Sequence, residues 1–186
     1  MNKSKNSSVS RIAFVLIIVF LLLDTGYTFF HFLYMPLDGD MAAVIVPYEG
    51  FKKMLSDPFG LSNLIKNDLY QAPNRFFAHW SMMKYFQFIP FLLQKITDPI
   101  DSVYLACAII KILVHSSLIY LISMLVSGSR NVLNKNFLLA AFIITPLFQS
   151  CGFYRTIGII DFAPTYVFFY ALPIVFVLLF FLPFFR

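Results

Sequence analysis

An all-α, multi-pass membrane protein of about four spans is the fold this sequence predicts, and three observations carry the prediction. The 186 residues are 60% apolar, include 24 Phe and hold only 12% charged residues, whereas about a quarter of a soluble domain is charged. The apolar residues fall in runs long enough to cross a hydrocarbon core of about 30 Å. The basic residues cluster beside those runs, where they set orientation and meet anionic lipid heads. This placement explains the net charge of +5 through membrane lipid; with no nucleic-acid motif present, nucleic acid is excluded as a partner.

Residues 1–11 carry Lys3, Lys5 and Arg11 and read as a basic cytoplasmic N-terminus. Residues 12–34 then form one apolar run, about 34 Å of helix. A secretory signal would need a small-x-small cleavage site, which is missing, and Phe29-Phe30-His31-Phe32 prolongs the run to spanning length. The expectation is an uncleaved signal anchor.

Residues 35–102 read as a long loop on the outer side, too long for a mere connection. Asp40 is placed to cap a short helix through Met41 to Val46, stopped by Pro47. Further short helices are expected over Gly50 to Leu55 and Leu61 to Leu69, bounded by Asp57-Pro58 and Ala72-Pro73-Asn74. The stretch Phe76 to Ile96 is aromatic and apolar but carries His79, Lys84, Pro90 and Lys95. A full crossing there would put Arg130 and Lys135 outside, against the positive-inside bias, so an interfacial or re-entrant helix with Trp80 at headgroup depth is preferred to a five-span arrangement.

Residues 103–186 are expected to supply three more spans. Val103 to Val126 is followed by Ser127-Gly128-Ser129-Arg130 and Lys135, a helix stop and then positive charge. A weaker span runs from Phe137 to about Tyr154, interrupted by Pro146 and Gln149, and the last from Pro164 to Phe185 before Arg186. The predicted location is the cell membrane, with the N-terminus cytoplasmic.

The chemistry-bearing feature is Asp38-Gly39-Asp40, just past the first span. In an extended backbone, residues two apart project to one side, so the two carboxylates can share a divalent cation (Mg²⁺ or Mn²⁺) or serve as a general base. The alternative is a turn in which Asp38 starts the bend and Asp40 caps the next helix.

An acidic pair beyond a signal-anchor span, at the head of a long outer loop with short interfacial helices, resembles the GT-C superfamily of membrane glycosyltransferases. The matching residues are Leu37-Asp38-Gly39-Asp40-Met41, with Asp98-Pro99 ahead of the next span. The resemblance covers the N-terminal part of such proteins, roughly residues 10 to 165 here, and complete members have many more spans. It implies transfer of a sugar from a polyprenyl-phosphate donor on the outer face, with Asp38 or Asp40 as catalytic base or metal ligand.

Lys111 and His115 lie one turn apart on one face of the second span. A cation at that depth needs a partner or a wet cavity. It can bind the donor phosphate, snorkel, or pair with Asp24 of the first span. Arg155 and Asp161 flank a short outer loop and either complete a phosphate or sugar site or mark membrane boundaries. Glu49, Lys52, Lys53, Asp68, Arg75 and His79 read as a solvated face or as headgroup contacts more than as catalytic parts. Cys107 and Cys151 show no metal or disulfide spacing. Walker, Rossmann, Ser-His-Asp and HExxH patterns are absent from the sequence. The rival to an enzyme is a non-catalytic subunit of a larger membrane complex, or a small transporter component, whose outer loop is an interaction platform.

Overall fold

The structure, a computed structural model, describes residues 3–46, 49–67, 69–70, 76–149, 156–157 and 160–185. Helix α1 (Lys3–Leu33) carries the first apolar run unbroken because no proline intervenes. Its apolar part, Arg11–Leu33, is 23 residues long, about 34 Å. Only 6% of that window is buried against the chain, so Leu16, Leu22, Leu23 and Phe30 face outward, as lipid permits and water would not.

Three short helices follow: α2 (Asp40–Ile45), α3 (Glu49–Leu55) and α4 (Leu61–Lys66). The carboxylate that caps α2 is Asp38, which accepts from the Met41 N–H at 2.8 Å, and not Asp40 as the sequence suggested. Gly39 already has right-handed helical angles (φ −70°, ψ −25°), which moves the capping position back along the chain. At α4, Asp57 accepts from the N–H groups of Leu61 and Ser62 and from the Tyr70 hydroxyl. Desolvation pushes the Asp57 carboxyl up, but these donors outweigh it and hold it below the ordinary carboxylate range. Asn67, in the left-handed region at φ 55°, stops α4, earlier than the expected Leu69.

Helix α5 (Phe76–Leu93) buries His79, Met82, Met83 and Phe86, one stripe at helical spacing. Three described helices are long and apolar enough to cross a membrane, and α5 is not among them. It packs instead along α6 (Pro99–Ser127), where the Tyr85 hydroxyl donates to the Ala106 carbonyl at 2.8 Å.

Helix α6 starts one turn before the expected Val103 because Asp98 caps it, accepting from Ile100 and Asp101 N–H, with Pro99 at the first position. The Asp101 N–H is the main reason that the Asp98 carboxyl titrates below its ordinary range. Gly128, at φ 66°, ends the helix. This is the central element: 44% of its window is buried, and it packs on α1, α5 and the helices that follow. Cys107, Lys111, Val114, Leu118 and Leu121 recur at three- and four-residue spacing along its inward face.

Helix α7 (Lys135–Gln149) is capped by Asn134, whose Oδ1 accepts from Asn136 N–H at 2.9 Å. Its 15 residues give about 22 Å. The third expected span is thus a short apolar helix, and its proposed continuation to Tyr154 lies outside the described residues. A two-residue antiparallel ladder, β1 (Thr156–Ile157) with β2 (Ile160–Asp161), pairs Thr156 with Asp161.

The last helix runs Pro164–Phe184 over 21 residues as α8 (Pro164–Tyr166), a π turn (Val167–Ala171), α9 (Leu172–Phe181) and a 3₁₀ turn (Leu182–Phe184). The π turn has a physical cause. The Leu172 N–H reaches back five residues to Val167 O, and Pro173, next in line, has no N–H to donate.

Candidate functional site

Two of the charged residues singled out from sequence converge on the turn that begins the last helix. Asp38 accepts from Thr165 through both oxygens: the backbone N–H reaches Oδ2 at 3.2 Å, and the hydroxyl lies 3.0 Å from Oδ1 and 3.2 Å from Oδ2. With the Met41 N–H, one carboxylate serves two helix starts, the second through Thr165, 127 residues further along the chain. Lys111, only 1% exposed, donates to the Phe162 carbonyl at 2.5 Å and approaches Met35 Sδ at 3.7 Å, with its Nζ 5.9 Å from the centre of the Phe32 ring. The ammonium therefore lies at the level of Met35, eleven residues beyond Asp24, about 16 Å of chain at helical rise. The Phe162 carbonyl meets the buried cation here.

The acidic pair is split by the geometry at Gly39. Helical angles there turn successive side chains by about 100°, so Asp38 and Asp40 do not share a side as an extended backbone would require. Both Asp38 oxygens already accept from Met41 and Thr165, and no group of three His, Cys, Asp or Glu among the described residues is placed to hold a metal ion. This donor set does not fit a divalent cation shared by Asp38 and Asp40.

Asp40 opens into a pocket of about 170 Å³ lined with Ala43, Val44, Leu55, His79, Thr165 and Phe169. At about 30 Å³ per water, the pocket holds a few waters or one reacting group and not a whole substrate. His79 is buried at 7% exposure and packs on Phe169 with ring centroids 4.6 Å apart. The site thus combines an exposed carboxylate, an imidazole, a hydroxyl and an aromatic wall. Asp38 is its scaffold: by holding Thr165 it fixes the last helix beside α2.

A larger groove of about 440 Å³ adjoins this pocket. Phe77 and Ala78 of α5 face Phe168, Phe169, Leu172 and Phe176 of the last helix across it. Phe169 lines both spaces, and Ala78 precedes His79 in the chain. The π turn rotates Phe168 and Phe169 relative to the α9 residues, a placement often found beside functional sites.

His115, expected to act with Lys111, is only 1% exposed and neither ring nitrogen has a hydrogen-bond partner. Phe32 and Phe148 pack edge-on against it, with centroids at 6.1 and 5.1 Å. A buried imidazole without partners adds no hydrogen-bond stabilisation and pays desolvation. His115→Phe is therefore expected to keep the fold and leave stability unchanged or higher by about 1 kcal/mol. The unfolding midpoint in detergent checks this, and a loss of more than about 2 kcal/mol would assign His115 a polar role.

Arg155 lies outside the described residues, and of Asp161 only the backbone pairing is described. His79, Thr165 and Phe169 are the site residues that sequence reasoning passed over. For His79 a signal existed, since it falls on the same helical stripe as Met82, Met83 and Phe86. Comparison with protein-family models, with curated proteins and with solved structures finds no match.

Proposed function

We propose that this chain forms the catalytic N-terminal part of a GT-C-like membrane glycosyltransferase, transferring a sugar from a polyprenyl-phosphate donor on the outer face of the cell membrane, with α1 as signal anchor and the N-terminus cytoplasmic. The observation that carries this reading is a carboxylate and an imidazole in a small pocket that adjoins an apolar groove through Phe169. A lipid-linked substrate needs that combination: a dry slot for its chain and a polar cup for its reacting end.

In this reading Asp40 takes the proton from the acceptor hydroxyl as its oxygen attacks the anomeric carbon. The bond between that carbon and the donor phosphate oxygen breaks, and the prenyl phosphate leaves with the electron pair. His79 orients the reacting groups at the Phe169 wall. Lys111 supports the Phe162 turn, and no step runs through a metal ion.

The prenyl chain would lie along the last helix. A photoreactive benzoylphenylalanine at Phe176, in membranes containing a polyprenyl-phosphate hexose, is expected to crosslink to that lipid, whereas the same probe at Phe142 of α7 is not. Equal labelling of both positions would sink the assignment of the groove to the donor.

A further inference from the structure

Where the end of α1 meets the start of α6 lies a larger cavity of about 560 Å³, lined by Leu33, Tyr34, Thr97, Asp101, Tyr104 and Leu105. It shares no lining residue with the Asp40 pocket, and the proposed transfer reaction makes no use of it. Its size falls in the range of small-molecule sites, about 300–1,000 Å³.

The chemistry of the wall is selective. Its described residues offer one carboxylate, two phenol rings, one threonine hydroxyl and two leucines, and no Lys, Arg or His among them. Among the described residues, no basic side chain lies within ion-pair distance of Asp101 or of Asp98, which caps the same helix. An anion would meet carboxylate repulsion there without a charged donor to offset it. A neutral polyol would find few donors, since hydroxyls are the only side-chain ones among those described residues. A cation is served by all of the polar features: the Asp101 carboxyl has no basic partner among the described residues, and aromatic faces attract an ammonium through the ring quadrupole. We propose that this cavity is a binding site for an ammonium-bearing ligand, seated between Tyr34 and Tyr104 with its charge toward Asp101. The same chemistry is presented by a free quaternary amine and by the headgroup of an ethanolamine phospholipid, whose chains would continue past Leu33 and Leu105.

The test uses the full chain reconstituted in nanodiscs. Choline is titrated calorimetrically against protein in phosphatidylglycerol discs, and lipid retention is read by native mass spectrometry from discs of equal phosphatidylethanolamine and phosphatidylglycerol. Saturable choline binding identifies a soluble amine, and selective retention of the ethanolamine lipid identifies a membrane source; either supports the site. In the supporting case Asp101→Asn weakens the response about fivefold or more, Tyr104→Leu does likewise, and Tyr104→Phe, which keeps the ring face, stays near wild type. Helical content by circular dichroism confirms that each variant is folded. Absence of choline binding together with equal retention of the two lipids, or a response unchanged in Asp101→Asn, overturns the proposal. None of these readouts depends on sugar transfer, so this inference and the proposed function fail separately.

Discussion

Replacing Asp38 by alanine is expected to destabilise the folded chain by about 3 kcal/mol, the sum of a lost helix cap and of charge-assisted hydrogen bonds to a buried partner. The expectation follows from the number of donors that one carboxylate satisfies: the Met41 N–H, the Thr165 N–H and the Thr165 hydroxyl. Thr165 is 2% exposed, so removing its acceptor leaves a buried hydroxyl and a helix N–H without their partner. Asp38→Asn should cost less, about 1 kcal/mol, because asparagine retains one acceptor oxygen and caps helices well. Unfolding midpoints in mixed detergent micelles rank the two variants. An alanine variant as stable as wild type would show that the Asp38–Thr165 link does not hold the last helix in place.

Asp40→Asn carries the opposite expectation: large loss of activity and little loss of stability. Asp40 is exposed at the start of α2, where its charge contributes at most about 1 kcal/mol through the helix dipole. In the proposed role of general base it would contribute about 10²–10⁴-fold to the rate, and asparagine of nearly the same shape cannot take the proton. The two aspartates, indistinguishable by residue type and two positions apart, are thus separable by measurement into a scaffold and a reactive group.

The long helices are legible in the sequence because lipid imposes a simple rule. A segment that crosses hydrocarbon must be apolar along its whole length, so the apolar part of α1, α6 and the last helix stand out to within a few residues, whereas the helical start of α1 at Lys3 does not. The shortened α7 is less legible, since the apolar run from Phe137 onward does not reveal where helical pairing ends. The site is legible in part. Asp38-Gly39-Asp40 announces itself, but the role of Asp38 is set by Thr165, a partner that no local pattern identifies. The extended backbone expected for the pair fails because glycine accepts helical angles as readily as extended ones. Lys111 needs a partner at depth, as its position in an apolar span implies. One partner is the Phe162 backbone carbonyl, a group that every residue carries and no sequence pattern marks.

His79 teaches the converse. A histidine on an otherwise apolar stripe resembles a solvated residue when judged by type alone, yet its spacing with Met82, Met83 and Phe86 places it inward. Polar residues sorted by the helical face they occupy, and not by their type, put His79 in the interior on spacing alone.

The central claim, that Asp40 is the reactive carboxylate of a lipid-linked sugar transferase, is tested most directly by one comparison of rates. Membranes carrying wild type, Asp38→Asn or Asp40→Asn are supplied with a panel of polyprenyl-phosphate hexoses and of hydroxyl-bearing acceptors, and release of prenyl phosphate is followed. The account predicts release by wild type, a reduced but measurable rate for Asp38→Asn, and a rate at least about 100-fold lower for Asp40→Asn at equal amounts of inserted, folded protein. Release by Asp40→Asn at the wild-type rate, or no release by wild type from any donor in the panel, would contradict it.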